Sequence, residues 1–148
     1  MRFREASAWT TTIVVAAIFG NFLTSALAHP DATIPLLIRA SVATIVWEVF
    51  IHIVLAARKL PEPLHTDDRR ADGGARLIGL SVLCLGAALA LAQAASPGLL
   101  RAVPLLRGLA QQTLLIDIAA MSVAAAQVAK SIATIILYRA GALVPAHD

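Results

Sequence analysis

The sequence predicts an all-α, polytopic membrane protein with four transmembrane helices and both termini on the cytoplasmic side. Three observations carry this expectation. Only 14% of the 148 residues are charged and 59% are hydrophobic, where a soluble domain carries about 25% charged residues; mean hydropathy is +0.79. Four apolar runs each reach the roughly 20 residues that cross a bilayer core. Lysines and arginines gather at alternate ends of these runs, as orientation in a membrane requires. The length allows a single domain, and backbone in lipid satisfies its hydrogen bonds as helix or closed barrel, of which runs this long permit only helix.

The first predicted helix covers about residues 8–28, with Trp9 as an interfacial anchor. Met1-Arg2-Phe3-Arg4 ahead of a run ending in Ala26-Leu27-Ala28 has the outline of a signal peptide. Near-spanning length, with Trp9 and Asn21 inside the run, favours an uncleaved helix. His29-Pro30-Asp31 forms a tight turn, because proline lacks an amide hydrogen and disfavours helix in the residue before it. The second helix covers about 34–57, with Pro35 in its first turn, where the missing donor costs nothing, and stops at Arg58-Lys59. The polar stretch 58–76 follows as a cytoplasmic loop containing Pro61, Pro63, the cluster Asp67-Asp68-Arg69-Arg70, and Gly73-Gly74. The third helix covers about 75–95 and is closed by Ser96-Pro97-Gly98. Residues 96–110 form the external, periplasmic connection, alternating leucines with Arg101, Pro104 and Arg107 along the membrane surface. The fourth helix covers about 111–138 and ends on Tyr138-Arg139 as an anchor, with Gly141 as a stop.

Orientation follows from the basic residues. Arg2, Arg4, Arg58, Lys59, Arg69, Arg70, Arg76 and Arg139 fall on one side; Arg101 and Arg107 fall on the other, with Arg39 just inside the second helix. The richer side is cytoplasmic, giving a multi-pass protein of the bacterial inner membrane. The net charge of +3 therefore reflects helix ends, and direct nucleic-acid binding is not expected. The lone Cys84 excludes a disulfide or a CxxC site within one chain and is expected as a small buried hydrophobe. Ala75, Gly79 and Gly86 on the third helix, and Ser122 and Ala126 on the fourth, allow close backbone approach in a tight bundle, and such faces also suit a homo-dimer.

Ionisable residues inside the spans are the informative ones, since each costs roughly 2.5–3.5 kcal/mol or more facing lipid at mid-membrane and should find a partner. They are Arg39, Glu48, His52, Asp117 and Lys130. Glu48 and Lys130 both lie about 14 Å from the cytoplasmic boundary, while Arg39 and Asp117 share a depth near the outer one. Two interhelical pairs are expected, Glu48 with Lys130 and Arg39 with Asp117, although Arg39 could instead snorkel outward. Glu48, His52, Gln127 and Lys130 form a candidate ligand or proton site; the plain alternative is a hydrogen-bonded network that fixes helix register. No cofactor is expected: a haem needs two axial ligands at one depth and His52 is the sole histidine within a span, and Lys130 would repel a metal held by Glu48 and His52. No enzyme motif is present.

Four segments carry a family resemblance: Arg4-Glu5-Ala6-Ser7-Ala8-Trp9, Phe50-Ile51-His52-Ile53-Val54-Leu55-Ala56, Thr66-Asp67-Asp68-Arg69-Arg70-Ala71 leading to Gly74-Ala75-Arg76-Leu77-Ile78-Gly79, and Ala129-Lys130 through Tyr138-Arg139-Ala140-Gly141. Their order resembles a family of small, mostly uncharacterised four-helix prokaryotic membrane proteins. This chain departs in having Asp68-Arg69-Arg70 where that family more often has an acidic residue, arginine and aspartate. The resemblance implies the fold and topology, and a regulatory role beside a small helix-turn-helix regulator; it implies no catalysis. The expected function is that of a non-enzymatic membrane sensor or regulatory partner, with Asp67, Asp68, Arg69 and Arg70 docking a cytoplasmic regulator. The rival expectations are a small proton- or ion-coupled transporter using Glu48 and Lys130, and an accessory or assembly subunit of a larger membrane complex.

Overall fold

A computed structural model describes residues 3–57 and 66–143; the side chains of residues 3–5, 52, 55–56, 66–71, 105 and 141–143 lie outside that description. The described chain is all-α: helix α1 is Phe3–Ala28, α2 is Thr33–Ala57, α3 is Thr66–Ala95 and α4 is Gln111–Leu143. Each supplies all or nearly all of a segment long and apolar enough to cross a membrane, Ala6–Ala28, Pro30–Ile51, Asp72–Ala95 and Gln111–Ala140. Four such segments point to a lipid bilayer as the solvent.

The proline turns end helices where the sequence places them. A single turn at Pro30–Ala32 links α1 to α2, with the Ala32 amide donating to the His29 carbonyl and the buried Thr33 hydroxyl donating to that of Pro30. Between α3 and α4 the chain makes two short turns, Leu99–Ala102 and Pro104–Leu106. Two helices run further than expected. α3 begins at Thr66 rather than near residue 75, so Gly73 and Gly74 lie inside a helix. The ion pair between Arg76 and Asp72, one helical turn apart at 2.7 Å, suits a helix start that precedes the apolar stretch. α4 continues through Gly141 to Leu143.

The pairing of α3 with α4 is antiparallel and intimate, and small residues set its register. A methyl added at Gly74 would lie 3.2 Å from the Leu137 side chain, and one at Gly79 would lie 3.0 Å from Lys130 Cβ and 3.1 Å from the Ala126 carbonyl oxygen. One at Gly86 would overlap Ser122. Ala75 on the same face is fully buried. The small residues expected to let these helices meet do so.

On its other side α4 packs against α1, where Val15, Phe19, Phe22 and Ala26 bury against Ala120 and Ala124. Phe19 and Phe22 meet edge to face with ring centres 6.2 Å apart. α2 packs mainly on α1 and touches α4 lightly. The spatial order is therefore α3–α4–α1–α2, with α4 and α1 inside and α2 at an edge. Ile34, Ile38, Ile45, Val46 and Ile53 of α2 stay exposed, as do Leu77, Leu85 and Leu91 of α3. Large apolar residues outside and small ones between helices is the arrangement expected when lipid is the solvent. Cys84 follows the same rule against expectation: it is exposed on α3, where an apolar surroundings comes from lipid rather than from protein.

Candidate functional site

The polar link between α2 and α4 lies where α2 approaches the centre. Gln127 Nε2 donates a hydrogen bond of 2.8 Å to Glu48 Oε1, across 79 positions of sequence. Both residues line a cavity of about 280 Å³ whose other walls include Val15 and Phe19 of α1, Ser41 and Thr44 of α2, and Ala124 of α4. The Thr44 hydroxyl is turned to its own helix, donating to the Ala40 carbonyl. Trp47, next to Glu48, has a buried indole N–H with no partner among the described residues, and its ring stands 5.7 Å from that of Phe50. A carboxyl and a carboxamide thus meet between two otherwise apolar helices.

Of the four residues expected in this site, Glu48 and Gln127 are brought together. Lys130 is not their partner: the expected Glu48–Lys130 ion pair is not formed. Three residues beyond Gln127 turn the side chain by about 60° around α4, and Lys130 packs its Cβ against Gly79 of α3 instead. The side chain of His52 lies outside the described residues, as do those of Asp67, Asp68, Arg69 and Arg70, whose backbone belongs to the first turns of α3.

The second expected pair also fails. Arg39 is exposed on α2, whereas Asp117 is buried and neither of its carboxyl oxygens has a hydrogen-bond partner. Equal depth does not bring them together because α1 stands between α2 and most of α4. Asp117 instead borders an open cleft of about 510 Å³ between α1, α3 and α4. Leu23 and Leu27 of α1, Leu85 and Leu89 of α3, and Leu114 and Met121 of α4 form much of its wall.

A polar cluster that the sequence reading missed closes the end of the bundle next to this cleft. Gln93 is fully buried near the end of α3. Its Nε2 donates to Gln111 Oε1 at 3.0 Å and to the Pro97 carbonyl at 3.3 Å, and its Oε1 accepts from the Leu100 amide at 3.0 Å. Gln111 Nε2 returns a bond of 2.8 Å to the Gln93 carbonyl. The signal available in sequence was a lone glutamine in the last turn of one apolar helix and another at the first position of the next.

The chain matches no protein-family model, and comparisons with curated proteins and with solved structures return no match.

Proposed function

We propose that this chain is a non-enzymatic integral membrane sensor or regulatory protein, in which the Glu48–Gln127 contact sets the position of α2 against α4. The observation that carries this reading is the 2.8 Å hydrogen bond at the wall of a cavity. α2 is the most loosely held of the four helices, docked on α1 and lightly on α4. A group that enters the cavity and takes over either end of the bond has differential affinity for two placements of α2, which is what a ligand needs to shift a population. The movement would be delivered to the stretch 58–76 that follows α2, with Asp67, Asp68, Arg69 and Arg70 as the surface for a cytoplasmic regulator. In this reading the termini and the 58–76 stretch face the cytoplasm of a bacterial inner membrane, by the excess of lysine and arginine on that side.

A second reading rests on the same cavity. A carboxyl within a span, beside space for a small molecule, is also what a proton-coupled carrier requires. Two variants separate the readings. Reversing the four charges at Asp67–Arg70 should abolish regulation of the partner while the chain still inserts, because the apolar spans lie elsewhere and a partner held by these charges meets like-charge repulsion. Glu48→Gln should change the regulatory output without abolishing partner binding. A charge-reversed variant with full activity, combined with substrate-driven proton flux in liposomes that Glu48→Gln eliminates, would replace the sensor with the carrier.

A further inference from the structure

Asp117 is 6% exposed, and neither carboxyl oxygen meets a donor. Gln93 uses both the donor and the acceptor side of its carboxamide, and the Ser122 hydroxyl, on the same cleft wall as Asp117, donates to its own helix at Ile118 O. Buried polar groups without a partner are few in folded proteins, and each asks for an explanation. In either protonation state this carboxyl holds hydrogen-bonding capacity that no described protein group uses, and a burial of charge without a partner is among the costliest arrangements available to a fold.

From this we infer that the cleft between α1, α3 and α4 is a binding site for a lipophilic amine, whose nitrogen pairs with Asp117 and whose hydrocarbon body lies among the leucines. The cleft volume of about 510 Å³ falls within the roughly 300–1,000 Å³ typical of small-molecule sites, which are mostly apolar with a few placed polar groups. The single acid fixes the ligand class. An ammonium supplies both the opposite charge and up to three N–H donors to a group that offers only acceptors when ionised. A metal ion does not fit, because one carboxyl among leucines and a methionine supplies too few oxygen ligands for a hard cation. Asp117 lies six positions into α4, about 9 Å from its start, and the short turns at Leu99–Ala102 and Pro104–Leu106 place Leu100 and Leu106 on the cleft rim. A molecule already dissolved in the bilayer reaches such a site without crossing water. Binding here requires neither the regulatory role proposed above nor the Glu48 cavity.

The test is equilibrium binding of radiolabelled dodecylamine to the full chain in nanodiscs of zwitterionic lipid, competed by unlabelled dodecylamine or by 1-dodecanol. Saturable binding is expected, with the amine competing about tenfold or more better than the alcohol, the size of one charge-assisted hydrogen bond. Asp117→Asn should lose a similar factor. Leu89→Trp, which narrows the cleft without touching the carboxyl, should abolish the saturable component. Equal competition by amine and alcohol in the wild-type chain would overturn the assignment, as would undiminished affinity in a folded Asp117→Asn. Should Asp117→Asn fail to fold, the amine-to-alcohol ratio of the wild type and the Leu89→Trp result decide the matter.

Discussion

Gly86→Ala should separate the two most closely packed helices, and its cost can be worked from the contact it makes. A methyl built on Gly86 overlaps Ser122 Oγ and Cβ and stands 3.3 Å from Ser122 Cα. Carbon atoms prefer about 3.5–4.0 Å. Rotating the serine hydroxyl relieves only part of the overlap, since Ser122 Cβ is fixed to the α4 backbone. α3 must therefore move outward by about 1 Å, and gaps of that size forfeit a quarter to a half of each dispersion contact, including those at Gly79 and Gly74 along the same seam. Overpacking of this kind costs about 1–3 kcal/mol, and the fixed obstacle puts this site at the upper end. Better helix propensity of alanine returns about 1 kcal/mol, leaving a net loss of about 2 kcal/mol. Ser122→Gly removes the obstacle and loses no interhelical bond, because its hydroxyl donates within α4 to Ile118; alone it should cost about 0.5 kcal/mol through propensity. The double variant moves the methyl from one helix to the other and should recover most of the stability. The assay is reversible unfolding of the purified chain by titration from mild into denaturing detergent, with Gly20→Ala as control, where an added methyl meets nothing within 4 Å. Strict additivity of Gly86→Ala and Ser122→Gly would refute the packing argument.

Two further outcomes are expected. Gln93→Leu strips the Leu100 amide and the Gln111 side chain of a buried partner and should destabilise the chain by about 3 kcal/mol, given about 1–3 kcal/mol per group left unsatisfied; a loss under about 0.5 kcal/mol in the same titration would show the cluster to be solvated. Reporter fusions after residues 30, 70, 104 and 148 should read outside, inside, outside and inside by the positive-inside rule, and a cytoplasmic signal at residue 30 would reverse the assigned topology.

Helix number, type and most ends were legible because each rests on a strong local signal. Apolar runs of spanning length gave the helices, and His29-Pro30 and Ser96-Pro97-Gly98 gave the turns. The start of α3 was not legible, since Gly73-Gly74 reads as a break by propensity; in the structure Gly74 serves close packing against Leu137. Gln127 entered the candidate site as the neighbour of Lys130 one turn away, and it is Gln127 that meets Glu48. Azimuth was not legible. Arg39 and Asp117 share a level but point from an edge helix and a central one, and the helix order α3–α4–α1–α2 depends on side-chain fit distributed along whole faces. The Gln93–Gln111 cluster escaped because each glutamine alone is unremarkable at a helix end.

The central position of α4 has a consequence for biogenesis. Synthesis proceeds from the N-terminus, so α4 enters the bilayer after the other three helices, yet both α1 and α3 bury their contact faces against it. Until it arrives, Val15, Phe19 and Phe22 lack the Ala120 and Ala124 side of their core, and the glycine seam of α3 has no helix to close on. The α1–α4 contacts are thus long-range in sequence and are made late, a pattern that slows folding, whereas α3 and α4 pair as neighbours. A chain halted before residue 111 would keep the α1–α2 contact but leave α3 without its main packing partner. Packing of the interior is therefore completed only when the last helix is in place.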